Sequence, residues 1–566
     1  MGQHTLKAGV QTGKDQLTQT VGISQGVFFD NLGPIGNISA NGGPSFNLVD
    51  TKYSGFVPGT GSRLISAINN PTNGYSAVIT ALDTNHDGVV DSDELNAYRF
   101  TELFDGARPQ LGYFGYRRTL DSYASSTPKM EYQGGYVQDQ WQLGRWTFSP
   151  GVRFDKYDFK ADNGTSLFKT DMAIAPRIGL TWDVLGDGRT KAYAYWGRYI
   201  DPIKLDMVRF TGSLTSSVQL EQIRIANTWV TENRRGGSKT VDAVFADTFK
   251  LPKTDEFRMG LAKDFGNAWS VEGVYTYRRD YDIVEDWDPT LYTNADSLED
   301  EGRSVFGIAK RSVTPYANLT SAQKKVVDAF RNLAINPSYF AGGGFTGQQN
   351  TARVDAGTLN FVLANLPGAF RYYNSFDLTF TRRYKDHWGG FATYSRVRAT
   401  GNTQSSGNAD FQGDLARFDP RLAYNNGSLD GSVDWLAKGY AYYKWDSGFL
   451  LGMTYNVLSG YHYSNSRVFS RRILLSPPSD PALLNTEQMG TNISPRYDTA
   501  DLHASYDFKI GSRLKAGVYA DVFNFFNKQT ATDLAEGTNV RTGYGANEAY
   551  AYVPPRRFSL GVKVTF

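Results

Sequence analysis

The segment Phe558-Ser-Leu-Gly-Val-Lys-Val-Thr-Phe566 alternates apolar side chains with small or polar ones along its whole length. Because successive side chains of a β-strand point to opposite faces, Phe558, Val562 and Phe566 would share one face and Lys563 would lie on the other. The segment therefore predicts a strand with one apolar and one polar face. What it means for the fold depends on whether the pattern recurs.

The alternation recurs along the chain, and tight turns such as Gly144-Arg145 and Gly511-Ser512 join many of the segments in pairs. Segments of this length and pattern are typical of β-strands. We predict 14 strands, at residues 3–13, 131–142, 145–158, 173–184, 190–200, 254–265, 268–281, 371–384, 387–399, 432–446, 448–460, 496–509, 512–524 and 555–566.

Charged residues recur on the polar faces of these strands. A soluble sandwich or propeller rarely keeps such groups on the face that packs into its core, so this is the weaker interpretation. A transmembrane barrel turns apolar side chains toward lipid and polar ones toward a watery interior. We therefore predict an all-β fold, a transmembrane antiparallel β-barrel, whose interior carries Arg153, Asp155, Arg177, Asp183, Asp377, Lys515 and Asp521.

The connections between the predicted strands are short and long in strict alternation. Outer-membrane barrels show this asymmetry, with short periplasmic turns and long external loops. The longest loops would lie at 14–130, 201–253 and 282–370, within one barrel domain that takes in residues 1–566. Helical patterns occur only in the loops, most clearly at 320–331, which opens with a capping threonine.

The composition excludes several other classes of protein. The chain has 35 Tyr, 35 Phe, 10 Trp and 58 Gly in 566 residues, which fits short strands with aromatic girdles. A net charge of +2 offers no basic surface for nucleic acid. Without cysteine, the chain has no thiolate metal site and no disulfide. No apolar run reaches the roughly 18 residues of a membrane-spanning helix.

One motif in the first long loop predicts a metal site. Residues 83–94, Asp-Thr-Asn-His-Asp-Gly-Val-Val-Asp-Ser-Asp-Glu, match the twelve-residue EF-hand loop position by position. Ca²⁺ prefers six to eight oxygen ligands, and the glycine at the sixth position permits the sharp turn. The predicted ligands are Asp83, Asn85, Asp87, Val89 through its carbonyl, Asp91 and Glu94.

We expect this calcium ion to have a structural role, in which it makes the long loop rigid. Residues 75–82 would lead into the motif and a helix over 92–104 would leave it. The alternative is a solvated acidic turn that binds no ion. Because extracellular calcium is abundant, a weak site with a Kd of about 10⁻⁴–10⁻³ M would suffice.

No motif predicts an active site. The histidines His4, His86, His387, His462 and His503 are dispersed without metal-ligand spacing. The Asp-Phe-Gly at 264–266 has none of the companion motifs of a kinase, and the glycine-rich stretch at 341–347 lacks the lysine of a phosphate-binding loop. No nucleophile elbow is present either. The chain is therefore not predicted to be an enzyme.

Several segments resemble the barrel of TonB-dependent outer-membrane transporters, in particular the Oar-like branch. Their order along the chain, more than any one of them, carries the resemblance. They are Tyr136-Val-Gln-Asp-Gln-Trp141 with the Phe148-Ser-Pro-Gly-Val-Arg-Phe154 hairpin, Ala175-Pro-Arg-Ile-Gly-Leu-Thr-Trp-Asp183, Leu458-Ser-Gly-Tyr461, Asp521-Val-Phe-Asn-Phe-Phe-Asn527 and Pro555-Arg-Arg-Phe558. The closing strand, 558–566, is similar to that of outer-membrane proteins in general.

The resemblance implies a place in the bacterial outer membrane and transport or binding of a bulky ligand. It also implies a 22-stranded wall, a plug domain and the TonB system as a partner. Only 14 strands are predicted and neither a signal peptide nor a plug is recognised, so we expect this chain to be a C-terminal barrel portion. The loops at 201–253 and 282–370 would select the ligand.

Three alternatives stay open. The 14 strands could close alone into a passive channel. A barrel of eight strands is filled by side chains and one of 16–18 strands encloses an aqueous channel, so 14 strands could enclose a narrow pore. The calcium-braced loops could instead serve a surface adhesion or scaffold protein. An enzyme is the weakest of the three.

Overall fold

The computed structural model describes most of the chain. The described residues are 2–22, 27–31, 60–97, 115–120, 123–212, 219–235, 243–246, 248–287, 295–305, 308–309, 311, 313–334, 361–404, 419–469, 482–485, 487–510, 514–534 and 547–565.

A single large antiparallel sheet dominates the structure, and its main path contains the 14 predicted strands in chain order. Each long strand pairs with its neighbours in the sequence. The strands are β1 (Gln3–Gln16), β2 (Lys129–Leu143), β3 (Trp146–Lys160), β4 (Ala173–Asp183), β5 (Thr190–Ile200), β6 (Lys253–Gly266), β7 (Trp269–Tyr281), β8 (Arg371–Lys385), β9 (Trp388–Gly401), β10 (Trp435–Lys444), β11 (Phe449–Leu458), β12 (Tyr497–Ile510), β13 (Leu514–Phe523) and β14 (Arg557–Thr565).

The predicted strands are confirmed, with ends that differ by a few residues. Two short strands, Ser166–Lys169 and Gly427–Ser428, pair with β3 and β9 and bring the sheet to 16 strands. Phe566, which the alternation assigned to the last strand, lies outside the described residues. The fold is an all-β wall of the outer-membrane barrel type.

The two faces of the wall differ in chemistry as the alternation predicted. We call the apolar face the one that carries Phe558, Leu560 and Val562 on β14, whose side chains are 71%, 82% and 72% exposed. Register extends it to Val518 and Val522 on β13. The opposite side, with Lys563 and Asp521, is the polar face. Apolar side chains on an exposed, continuous surface are what a lipid-facing wall requires.

All short connections lie at one end of the wall and all long ones at the other. The short connections include 144–145, 267–268 and 386–387, and β14 also ends at their side. By the rule for outer-membrane barrels, this short-turn end is periplasmic and the long-loop end is external. None of the helices in the described segments has the length and apolarity to span a membrane.

The loops fold into small units of their own. A four-stranded sheet joins Val27–Asn31 and Gly115–Leu120 of the first loop to Gln219–Ile225 and Thr228–Arg235 of another. The remaining short strands are Gln19–Gly22, Tyr123–Ser126, Ala243–Phe245, Val284–Trp287, Phe361–Asn365, His462–Tyr463, Ser466–Phe469, Ala482–Asn485, Asn492–Ile493, Ala531–Leu534 and Ala549–Tyr552.

Six α-helices occur in the described residues, and all lie in loops. They are α1 (Thr60–Asn69), α2 (Ser76–Leu82), α3 (Ser92–Ala97), α4 (Leu205–Gly212), α5 (Ala295–Val305) and α6 (Ser321–Arg331). Helix α6 confirms the helix predicted at 320–331: Thr320 and Gln323 form a reciprocal capping box at its start. Helix α3 begins where the exit helix was predicted, but residues 98–104 lie outside the described part.

The main apolar core of the described chain lies at the long-loop end and not between two sheets. It packs Phe159 of β3 against Met207 and Val208 of α4, Phe245, and Leu298 of α5. A lipid-facing wall needs no core of its own on its outer side. The loops therefore bury their apolar side chains against one another above the barrel.

Candidate functional site

The polar face of the wall carries the charged residues that the sequence predicted for the interior. Cross-strand register places all seven of them on this face. The guanidinium of Arg153 makes two hydrogen bonds to the carboxylate of Asp155, each of 2.7 Å. A bidentate pair of this kind holds both charges in one geometry.

The other predicted interior residues are also held in place. Asp377 accepts hydrogen bonds from Ser375 and Ser395, and Asp521 lies 2.6 Å from Nδ1 of His503. Arg177 stacks its guanidinium 4.7 Å above the ring of Tyr199. Asp183 accepts from two backbone N–H groups of its own turn, and Lys515 is exposed. The polar face is therefore a surface of fixed, mixed charges.

The calcium-type loop adopts a closed conformation in which its acidic side chains accept backbone hydrogen bonds. Asp83 accepts from the N–H groups of Asp87 and Gly88, at 3.2 and 2.8 Å. Glu94 accepts from Thr84, at 2.7 Å, and from Asn85 and Asp91. The N–H of Asp91 and the other backbone donors hold the pKa of the Glu94 carboxyl below its usual value. Gly88 has φ of +88°, as the sharp turn requires.

A second contact ties this loop to the helix before it. The side-chain amide of Asn69, at the end of α1, donates to the carbonyl of Val90 and accepts from its N–H, both at 2.8 Å. The Val90 side chain is buried. Farther out, the hydroxyl of Tyr75 accepts from the N–H of Thr231 in the four-stranded sheet. The loop thus belongs to a packed unit.

The oxygen donors of this loop fit Ca²⁺ by type, but in the described conformation they do not form a metal cage. No group of three or more His, Cys, Asp or Glu side chains within the described ranges is close enough to hold a metal ion. Asp83 and Glu94 lie at the two ends of the loop and each is engaged by backbone N–H groups.

The sequence did not predict a cavity of about 390 Å³ at the long-loop end, whose lining mixes charged and apolar side chains. It is lined by Asp201 and Lys204 after β5, Lys253 of β6, Asp280 of β7 and Arg371 of β8. Burial raises the pKa of the Asp201 carboxyl. These side chains lie at or next to the ends of four strands, along two long connections, β5 to β6 and β7 to β8. Only the strand register brings them together.

The histidines remain separate in the structure, as the spacing suggested. His4 pairs with Asp139 at 2.6 Å, His503 with Asp521, and His462 lies 3.4 Å from Asp434. Each of the three has a different carboxylate partner, and these partners are far apart in the chain. These contacts organise the wall and do not form a metal site.

Comparison with known proteins gives a family for the first part of the chain. Residues 9–215 match the family described as TonB dependent receptor-like, beta-barrel. A stretch of 76 residues is 32% identical to the TonB-dependent transporter Oar of Myxococcus xanthus, and it covers 13% of this chain and 7% of that protein.

Solved structures of outer-membrane proteins align with 80% of the chain. The outer membrane transporter YddB from Escherichia coli aligns with a TM-score of 0.45 and 16% identity. The pyoverdine outer membrane receptor FpvA from Pseudomonas aeruginosa aligns with a TM-score of 0.42 and 10% identity. In both cases the chain spans 50% of the solved protein.

Proposed function

We propose that this chain, whose residues 9–215 belong to the family of TonB-dependent receptor-like β-barrels, forms part of a transporter that moves or binds a bulky ligand across the bacterial outer membrane. The chain is an outer-membrane β-barrel protein and not an enzyme. The observation that carries the proposal is the family match combined with an unbroken ladder of 14 strands whose apolar face is exposed.

The two edge strands of the wall, β1 and β14, indicate that the described strands form only part of a barrel. Within the described residues, β1 pairs only with β2 along its length, and β14 pairs only with β13. Each edge strand therefore presents unpaired backbone N–H and C=O groups, which are not tolerated in lipid. We propose that further strands, supplied from outside these residues, pair with both edges, and that a plug domain contacts the polar face.

The fixed charges of the polar face fit this arrangement. A plug or a hydrated ligand path needs polar partners, and Arg153, Asp155, Asp377 and Asp521 offer both signs of charge on one surface. At the long-loop end, the cavity beside Arg371 and Asp280 is a place where a ligand with polar groups could first be held.

Cysteine cross-linking tests the open edges, because the chain has no cysteine of its own. Pairs of engineered cysteines along β1 and β14, such as Val10→Cys with Leu560→Cys and their neighbours in other registers, should form no disulfide with each other in membranes. Val518→Cys with Val562→Cys is the positive control, because these residues are direct partners across β13 and β14. Efficient cross-linking of β1 to β14 would instead support a self-closing passive channel.

Conductance in planar bilayers provides a second test. If the chain needs further strands, the refolded protein alone should give no uniform unitary conductance. A passive 14-stranded channel would give one reproducible conductance step. That outcome would contradict the transporter proposal and favour the channel.

We also propose that the loop of residues 83–94 binds one Ca²⁺ with a structural role. Its sequence supports this, as does the contact of Asn69 with Val90, which already fixes the middle of the loop before any ion enters. The ligands would be Asp83, Asn85, Asp87, the carbonyl of Val89, Asp91 and Glu94. Binding would couple α1 and the four-stranded sheet to the loop.

Calorimetry with CaCl₂ on the whole chain tests the ion site. We expect one equivalent of Ca²⁺ to bind with a Kd of about 10⁻⁴–10⁻³ M. The Asp83→Ala/Glu94→Ala variant should lose this binding. Asp93→Ala is the matched control, since Asp93 is exposed and is not among the proposed ligands. Equal uptake by the double variant, or no uptake by the native chain, would remove the proposal.

A further inference from the structure

The apolar face of the wall contains a groove of about 430 Å³ between β3 and β8. Its floor is made by the small side chains Ala192 and Ala194 of β5. These positions lie on the apolar face because Ala192 is the register partner of Trp182 and Leu261. The groove therefore opens toward the lipid and not toward the barrel interior.

Large side chains form its two walls. On one side Trp146 and Trp182 stack with ring centroids 4.9 Å apart and planes within 3°. On the other side Met259 and Leu261 of β6 are 48% and 54% exposed. A row of small residues between two such ridges is a local depression in an otherwise bulky surface. Its lining is almost wholly apolar.

The groove ends at a cation. Lys263 follows Leu261 on the same face of β6, one step closer to the short-turn end, and its partner in β5 is Thr190. The Lys263 ammonium donates to Oγ1 of Thr190 at 2.6 Å. Among the described residues it has no ion pair within 4 Å, although it interacts electrostatically with Asp187 in the neighbouring turn. One positive charge therefore lies at the polar end of the groove.

The depth in the membrane follows from the register. Trp146, Trp182 and Ala192 lie at one level, directly above Thr190 and Lys263. Tryptophan is enriched where the hydrocarbon of a membrane meets its headgroups. The stacked pair therefore marks the interface at the short-turn end, with Lys263 at headgroup depth and the groove in the adjoining hydrocarbon layer.

We propose that this groove binds one phospholipid of the periplasmic leaflet, with an acyl chain over Ala192 and Ala194 and the phosphate against Lys263. The positive charge of Lys263 and its depth in the membrane favour a phospholipid as the bound molecule. An ammonium at the edge of a low-dielectric region is stabilised by an anionic partner, and a phosphodiester at headgroup depth supplies one. An acyl chain is flexible enough to follow a floor enclosed by Trp182 on one side and Leu261 on the other.

The position of the groove also indicates whether the acyl chain comes from a lipid of the periplasmic leaflet or of the external leaflet. It lies in the half of the wall next to the short turns, which is the periplasmic side. A lipid anchored in the external leaflet would place its charged group at the long-loop end, away from Lys263. The bound lipid is therefore a phospholipid of the inner half of the bilayer.

Native mass spectrometry of the whole chain released from detergent tests this site, with phosphatidylglycerol as the probe and phosphatidylcholine as the comparison. We expect the native chain to retain one phosphatidylglycerol molecule and to retain phosphatidylcholine less well. Ala194→Phe, which fills the groove with an apolar side chain, should abolish retention. Lys263→Gln should weaken it about fivefold, the effect of one cation near an anionic lipid.

Two control variants separate this site from general contact with lipid. Ala441→Phe adds the same ring at an exposed alanine elsewhere on the apolar face, and Lys509→Gln removes a lysine of the polar face near the same end. Both should retain lipid like the native chain. Heat-modifiable migration in gels confirms that each variant is folded.

Equal retention by Ala194→Phe and Ala441→Phe would show that only annular lipid is present and would overturn the proposal. A dimer that Ala194→Phe dissociates, with no retained lipid, would overturn it in favour of a second copy of the chain. Neither result depends on closure of the barrel or on transport, so it leaves the proposed function untouched.

Discussion

The ring of Tyr193 lies across the polar face of Gly260, its direct partner on the neighbouring strand. A Cβ atom on Gly260 would lie 2.5 Å from Cζ of the ring, which is closer than such atoms can approach. The hydroxyl of the same tyrosine donates to Glu272 at 2.8 Å, and this hydrogen bond holds the ring down. Tyrosine and glycine thus lock β5, β6 and β7 together.

Gly260→Ala should destabilise the wall by about 1–3 kcal/mol, because the new methyl group forces the Tyr193 ring off its hydrogen bond. The midpoint of urea unfolding in detergent measures this. Gly273→Ala is the matched control, since its Cβ would lie an ordinary 3.7 Å from Phe376. If the steric account is right, Gly260→Ala costs less in a Tyr193→Ala background. An equal cost in both backgrounds would contradict it.

A second prediction concerns the buried ion pair between α5 and α6. Glu299 is fully buried and accepts from Arg303 at 2.7 Å and from Arg331 at 2.5 Å. Glu299→Gln leaves the buried Arg303 without its counter-charge and should cost about 3–5 kcal/mol of local stability. Hydrogen exchange over residues 295–334 should rise. Asp328→Asn, at an exposed hydrogen bond to Tyr316, should change it little.

The contact between Asn69 and the calcium-type loop gives a third prediction. Asn69→Ala removes both hydrogen bonds to the backbone of Val90 and leaves a partly buried N–H and C=O unsatisfied. Each such group costs about 1–3 kcal/mol. We expect faster hydrogen exchange at residues 83–94 and weaker Ca²⁺ uptake. Asn73→Ala, which loses an exposed hydrogen bond to the carbonyl of Ala67, should leave both unchanged.

Low pH should destabilise helix α5 because it protonates Asp296. Its hydrogen bond to Arg311, at 2.8 Å, lowers the pKa of the Asp296 carboxyl below the usual 3.8. A carboxyl with a lowered folded pKa stabilises the fold above its unfolded pKa, and this contribution is lost as the pH falls through the folded value. Exchange at 295–305 should therefore rise below about pH 4. Asp296→Asn should already exchange faster at neutral pH and lose this step.

A fifth prediction concerns an arginine on the apolar face at the short-turn end. The guanidinium of Arg382 lies 4.1 Å from the ring of Trp388 and 5.2 Å from that of Trp269. It also donates to the carbonyl of Lys385 at 3.0 Å. Arg382→Lys keeps the charge but loses the planar stacking, and should cost about 1–2 kcal/mol.

Unfolding by urea compares this variant with Arg383→Lys. Arg383 is 66% exposed and pairs with Asp264 at the surface, so its replacement should cost less than about 1 kcal/mol. If the two variants are equally stable, the stacking of Arg382 on Trp269 and Trp388 does not stabilise the fold.

The strands could be predicted because their pattern is local. On β14 the polarity of each side chain indicates the face of the sheet on which it lies. The partner strand β13 alternates with the same two-residue period, so the register pairs apolar residues with apolar ones. The start of α6 was also readable, since Thr320 and Gln323 cap each other three residues apart. The calcium-type ligands were named by spacing alone, and their binding of an ion stays a prediction.

The amino-acid sequence by itself determined the strand count, the two faces, the end at which the short turns lie and the loop that could hold calcium. All these depend on neighbours within a few residues of one another. Only the tertiary structure decided which distant residues meet: Tyr193 over Gly260, Arg371 beside Asp280, and the groove between Trp182 and Leu261. These contacts join strands through long loops, and cross-strand register, which no local pattern encodes, sets them.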